Sequence, residues 1–209
     1  WMLAQCADAY HFFTLNGFAD KFPNMRTCFA HGGQLAQMNL GRRIQGFDGR
    51  PDLFEGKVHP RKSVAHKNIF FDTLVHDTGS LQLIVKNQTS KQIVMGLDDP
   101  YPLGEMESKQ QSSYPGKILD LAVERKIIDD TQRDAIWEDN VIQWLCGDNE
   151  EAKQTVDCLY DDYQRFNADG VTKLAMKKNG KWGWVDWLTG EEKSQFIYET
   201  SKELPYPYY

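Results

Sequence analysis

Thr27-Cys28-Phe29-Ala30-His31-Gly32-Gly33 is the stretch on which the reading of the fold turns. A short apolar run stops at an imidazole, and two glycines come next that let the backbone turn tightly and approach a ligand. The pattern recurs downstream. Asn68-Ile69-Phe70-Phe71 ends in Asp72, and Ile93-Val94-Met95-Gly96-Leu97 ends in Asp98. Near-continuous apolar runs of this length belong to strands buried on both faces, as in parallel sheets. Helical patterns lie around them. Asp8 to Ala19 precedes the first strand. Thr78 to Lys86, with Asp77 or Thr78 as N-cap, precedes the third, and Ile118 to Arg125 and Thr131 to Leu145 follow it. Alternating strand and helix predicts an α/β fold with right-handed crossovers. In a rolled parallel sheet the groups that end the strands meet at one rim, where catalysis is placed. His31, Asp72 and Asp98 are therefore candidates, although a single residue of this kind more often caps a turn or a helix.

The chain has 209 residues, 41% hydrophobic and 12% aromatic, enough for a packed core with room for a small appendage. Its net charge of −6 and scattered Lys and Arg argue against nucleic acid or an anionic membrane as partner. No run approaches the roughly 18 apolar residues that cross a bilayer. No signal peptide opens the sequence, and a start at Trp1 predicts that further sequence precedes it. Cys6, Cys28, Cys146 and Cys158 form no CxxC pair and are expected as free thiols in a reducing cytoplasm.

Gly46 to His66 is polar and rich in Gly, Pro and basic residues, and predicts a long loop, either functional or disordered. The character changes after Cys146, where Gly147-Asp148-Asn149-Glu150-Glu151 forms an acidic break. Two domains are expected, residues 1–146 and 147–209. In the second, Ala152 to Phe166 predicts a helix, and Val171 to Tyr198 alternates as strands do, with turns at Asn179-Gly180 and Thr189-Gly190. Leu204 to Tyr209 is expected to fray.

Cys28-Phe29-Ala30-His31-Gly32-Gly33 also carries a resemblance. So do Phe18 to Pro23, Leu40-Gly41-Arg42, Arg50-Pro51-Asp52-Leu53, Asp72 to Asp77, and Met95 to Glu105 with its Asp98-Asp99-Pro100. Between Trp1 and Cys146 the chain resembles the α-amino-β-carboxymuconate-ε-semialdehyde decarboxylases of the amidohydrolase superfamily. The resemblance implies the C-terminal portion of a metal-dependent (β/α)8 barrel, here followed by a small β-hairpin-rich tail. Lys177 to Asp186 and Phe196 to Tyr198 look like a single tryptophan-glycine (WG) repeat.

On matching positions, the resemblance implies that His31 is the catalytic histidine and Asp98 a metal ligand, zinc being the expected ion. Imidazoles move protons near neutrality and carboxylates ligate zinc. It implies that Arg42 reaches the neighbouring protomer's site in a homodimer and pairs with a small-molecule dicarboxylate substrate. The expected activity is that of a carboxy-lyase in tryptophan (kynurenine) catabolism. Without the resemblance Arg42 reads as a solvated surface arginine. His76 looks like the family's pattern but is expected first as a structural contact or helix cap, Asp72 is expected to support its neighbours or the fold, and Pro100 and Pro102 to stiffen the Asp98 loop.

Two features depart from the family. Gln34 stands where a third glycine is usual, and Asp99 stands where a tyrosine is usual. The family's remaining metal ligands, a His-x-His pair and a further histidine, belong to a part that would precede Trp1. His11 sits among Phe12, Phe13 and Leu15 and is expected to pack rather than ligate. Catalytic zinc takes about three protein ligands, so this chain alone is expected to be inactive. Two other classes stay open: another amidohydrolase-type hydrolase or aromatic-acid decarboxylase, and a non-catalytic interaction protein on a degenerate barrel.

Overall fold

The computed structural model describes residues 2–98, 101, 103–105, 114–155, 161–168, 171–186 and 191–205. Trp1, Asp99, Pro100, Pro102, Cys158 and the Thr189-Gly190 turn lie outside the described residues. The chain divides into two units, Trp1–Lys153 and Gln154–Tyr209.

In the first unit helix α1 (Met2–Leu15) starts earlier than its periodicity suggested and stops at Asn16-Gly17. Gly17 has φ +66, and a Cβ there would lie 2.9 Å from Val58, so the helix breaks and α2 (Phe18–Lys21) restarts beyond it. Strands β1 (Thr27–Phe29), β2 (Ile69–Asp72) and β3 (Ile93–Val94) form one parallel sheet in the order β1-β2-β3. The register pairs Cys28 with Phe70, Phe29 with Phe71, Phe71 with Ile93 and Asp72 with Val94. Strand alternation then puts Phe29, Phe71 and Ile93 on one face and Cys28, Phe70, Asp72 and Val94 on the other.

The first face meets α1. Tyr10, only 1% exposed, stands edge-on to Phe29 with ring centres 5.1 Å apart and lies 5.6 Å from Phe71. Phe71, Leu81, Ile93, Leu119 and Ile136 complete a core from which water is excluded. Strand β3 is short because the Met95 N–H leaves the sheet and donates to the Ile136 carbonyl at 3.0 Å.

Helices α3 (Leu35–Met38) and α4 (Leu40–Gly49) come after β1. The loop expected from Gly46 is therefore helical to Gly49, and 3-10 turns at Pro51–Phe54 and Pro60–Lys62 organise the residues beyond it. Stacking of Phe47 on Phe54 at 4.2 Å gives that polar stretch an apolar anchor. Helix α5 (Thr78–Asn87) starts where the sequence predicts, with the Asp77 carboxylate accepting from the Ser80 N–H at 2.9 Å. After β3 come α6 (Lys117–Glu124) and α7 (Asp130–Asp134), the latter opened by an Asp129–Gln132 capping box. Helix α7 runs through a π-helical segment, Ala135–Asp139, into α8 (Asn140–Cys146). The buried Asn140 amide donates to the carbonyls of Ser90 and Ile93, both at 2.7 Å, and so fixes α8 against the start of β3.

The helix predicted for Ala152 to Phe166 is not formed over that length. α9 (Glu150–Thr155) is short, and Asp162 already lies in a strand. Strands β4 (Asp162–Ala168), β5 (Val171–Lys178) and β6 (Lys181–Val185) make an antiparallel sheet in chain order. Pairing with β5 and the packing of Phe166 on Trp184, ring centres 5.4 Å apart, override the local helical pattern. Asn179 and Gly180, at φ +53 and +77, make the two-residue turn between β5 and β6. Leu204 does not fray. It is 9% exposed in a small core with Ala175, Trp182 and Trp184, and the Trp184 indole N–H donates to the Pro205 carbonyl at 2.8 Å. Among the described residues no helix is long and apolar enough to cross a membrane.

Candidate active site

Each parallel strand hands the chain to a loop that carries a polar residue in the left-handed region. His31 follows β1 at φ +54, His76 follows β2 at φ +60, and Asp98 follows β3 at φ +57. Non-glycine residues adopt this conformation at a cost, and such sites concentrate where function constrains the backbone. All three residues line one cavity of about 450 Å³. Its walls are largely apolar, with Leu35, Met38, Leu74, Val75, Leu83 and Ile84, and Gln34, Gln37 and Ser80 add polar atoms. His31 and Asp98 are half-buried, while His76 is exposed.

A dipeptide at the end of β2 ties the three loops together. One oxygen of Asp72 accepts from the Gly32 N–H at 2.9 Å, in the turn of His31, and from the Leu74 N–H at 3.1 Å, in the loop of His76. The Thr73 hydroxyl accepts from the Gly96 N–H at 3.2 Å, in the loop of Asp98. Gly96 is required there: a Cβ would sit 2.6 Å from the Asp72 Cβ. Gly32, at φ +64, is equally constrained, with Ile84 and Val75 at 2.4 and 2.6 Å from a Cβ.

The Asp98 loop closes back on itself. The Tyr101 N–H donates to the Asp98 carbonyl and the Glu105 N–H to the Leu97 carbonyl, each at 2.8 Å. The Glu105 carboxylate, 6% exposed, accepts from the Ile118 N–H at 2.8 Å and the Gly116 N–H at 3.3 Å, anchoring the loop to the start of α6. Burial pushes the Glu105 carboxyl above its ordinary value, partly offset by these two donors.

Behind the cavity rim, burial pushes the Cys28 thiol up to about 12, helped by the nearby Asp72 carboxylate and Cys6. Among the described residues Cys6, Cys28 and Cys146 are free.

Arg42 is exposed on α4 and is not among the residues that line the cavity. Its neighbour Arg43 turns inward, with its guanidinium 5.1 Å from the centre of the Tyr10 ring. His11 packs in α1, and burial followed by the charge of Arg43 pushes its imidazole below the ordinary value. Among the described residues no group of three or more His, Cys, Asp or Glu could hold a metal ion. His31, His76 and Asp98 thus share a cavity without converging on one metal position, and they do not make a zinc site by themselves.

No protein-family profile matches the chain. It is 30% identical over 131 residues, 62% of its own length, to 2-amino-3-carboxymuconate-6-semialdehyde decarboxylase of Dictyostelium discoideum. With the Caenorhabditis elegans protein of the same name it shares 40% over 86 residues, 41% of the chain. These matches cover 33% and 21% of the relatives, so the chain spans a third or less of the curated proteins it matches. Among solved structures, 4-oxalomesaconate hydratase from Rhodopseudomonas palustris aligns with a TM-score of 0.52 at 19% identity, covering 68% of this chain and 41% of that one. A second solved structure, described as Amidohydrorolase II, aligns with a TM-score of 0.50 at 19% identity, covering 68% of this chain and 42% of that one, and at these identities the likeness is one of fold.

The apolar-run pattern pointed to His31 and Asp98, and both line the cavity. It missed His76 as a lining residue, because an imidazole four residues past a strand looks like a cap. Asp77 does the capping instead. The role of Thr73 left no sequence signal, since a hydroxyl bond to Gly96 depends on two strands lying side by side.

Proposed function

We propose that residues 1–146 form part of the active site of a decarboxylase acting on an aminocarboxymuconate semialdehyde-type dicarboxylate, within tryptophan (kynurenine) catabolism. The observation that carries the reading is that His31 and Asp98, from the ends of different strands, line the same largely apolar cavity. In this reading the carbon–carboxylate bond of the substrate breaks, carbon dioxide leaves, and the electron pair left on carbon takes a proton relayed by His31. The apolar walls exclude water and hold the substrate's carbon frame. Asp98 is a candidate donor for a zinc ion, but the described residues supply too few donors, and no step is assigned to the metal. The matched regions are 33% and 21% of the relatives' lengths, which leaves room for further donors outside this chain. Arg42, exposed on α4, suits a carboxylate of substrate in a neighbouring copy of a cytoplasmic homodimer. Residues 147–209 we read as a separate domain built around a WG-repeat-like β-unit.

The test joins this chain to the remaining two thirds of the Dictyostelium relative and follows loss of the semialdehyde chromophore. The chimaera with zinc should turn over, and His31→Asn should lower kcat by about a hundredfold or more. The present chain alone with zinc should stay at background. A chimaera in which His31→Asn retains full activity removes His31 from the chemistry.

A further inference from the structure

We infer that His76 is a substrate-contacting residue at the mouth of the cavity, donating an imidazole N–H to a carboxylate of a planar, largely apolar acid. The inference rests on the cavity being a site for a carboxylate substrate, and it adds a binding group that neither the strand-end pattern nor the resemblance supplied.

Three other roles for His76 fail on the geometry. It does not cap α5, because Asp77 accepts from the Ser80 N–H at 2.9 Å and from the Ser80 hydroxyl. Packing is no role for it either, since the side chain is exposed. Nor does it complete a metal site with His31 and Asp98, because those three do not form a group that could hold an ion.

What remains is an imidazole set on the cavity lining by a stiff loop. On its N-terminal side the loop is held by the Asp72 bond to the Leu74 N–H at 3.1 Å and by the Val75 N–H to Thr73 carbonyl bond at 2.8 Å. On its C-terminal side it is held by the capped first turn of α5. Its backbone sits at φ +60, where glycine would serve the turn at lower cost, so the conformation itself gives the imidazole no reason to be there. The walls beside it, Leu74, Val75 and Leu83, are apolar. Asp98 lines the same cavity, Asp77 is the next residue in the chain, and His76 lies within electrostatic range of the buried Glu105. A ligand carboxylate entering here needs a donor at the rim, and His76 presents one.

Phthalate, a planar dicarboxylate, is the probe. It is titrated into the chain while imidazole signals are followed by nitrogen-edited NMR. It should shift the signals of His76 and His31 and leave those of His59 and His66, which do not line the cavity, in place. His76→Gly relieves the positive φ and should fold at least as well as the wild type by thermal melting. It should bind phthalate about threefold to tenfold more weakly, the worth of one hydrogen bond. His76→Asn, which tolerates this backbone region and keeps an N–H donor, should bind within about twofold of wild type. Wild type that ignores phthalate, shifts confined to His59 or His66, or His76→Gly binding like wild type would each overturn the inference. If phthalate binding depends on His76 while the chimaera shows no decarboxylase activity, the contact stands and the proposed reaction falls.

Discussion

Residues Trp1–Lys153 are built on three parallel strands of two to four residues, and residues Gln154–Tyr209 on three antiparallel strands of five to eight. The difference is one of where the partners come from. In the antiparallel sheet β5 and β6 are joined by the two residues Asn179 and Gly180, and pairing is settled next door in the chain. In the parallel sheet β1 must find β2 some forty residues away, with Thr27 paired to Ile69. Crossovers of that length are carried by helices, and they leave the strand ends free to project side chains. The first unit therefore gains a rim with His31, His76 and Asp98. The second holds itself with a few aromatic contacts and exposed ion pairs such as Lys178–Glu192, which contribute little individually.

The comparison breaks most visibly at Phe71, which has no exposure and lies between β1, β3 and α1. Phe71→Ala should destabilise the first unit by about 3–5 kcal/mol in urea unfolding. Amide hydrogen exchange should accelerate in Thr27–Val94 while protection of β4 to β6 is unchanged. Loss of protection in both sheets together would show that the two units unfold as one.

A smaller effect is expected at Asp72. Asp72→Ala leaves the Gly32 and Leu74 N–H groups without their acceptor and should cost about 1–3 kcal/mol, whereas Asp72→Asn keeps an acceptor oxygen and should recover most of it. NMR shifts of His31 and His76 should move together in Asp72→Ala; movement of one alone would deny that this carboxylate couples the two loops.

In the antiparallel sheet the comparable point is the turn. Gly180→Ala meets no neighbouring atom, so its expected cost, about 1–2 kcal/mol, comes from φ +77 alone. Thermal unfolding followed on the β4–β6 amides reads it.

The finest test is the pH dependence set by Glu105. Its carboxyl is raised above the ordinary 4.5, so it holds a proton more tightly in the folded chain than in the unfolded one. That contribution to stability is fully present below 4.5 and is lost as pH rises through the folded value. Stability of the wild type relative to Glu105→Gln should therefore fall with pH above 4.5 and then level off. A difference that grows with pH would reverse the sign of the burial effect.

The elements that were legible share a local signal. Each of the three apolar runs carries a strand, the third over Ile93–Val94 alone, and Asp77 became a cap, because hydrophobic continuity and capping chemistry act over a few residues. The misreadings share a distant cause. A helix through Phe166 looked sound until β5 offered it a partner. Leu204 looked like a fraying end until the Trp182 and Trp184 side chains gave it a surface to cover. At the site, His31 and Asp98 were visible as the polar residues that follow apolar runs, although β3 itself stops at Val94. His76 was hidden because its distance from β2 matters less than the tight turn that Asp72 imposes on the loop.

By itself the amino-acid order determined which segments carry the parallel strands, since burial on both faces demands uninterrupted apolar runs; it did not fix where the third ends, four residues before Asp98. Only the tertiary structure decided that three loops far apart in the chain open on one cavity. That outcome depends on the backbone N–H groups of Gly32 and Gly96 finding acceptors on Asp72 and Thr73, and hydrogen bonds between neighbouring strands leave no trace in the order of residues on either one.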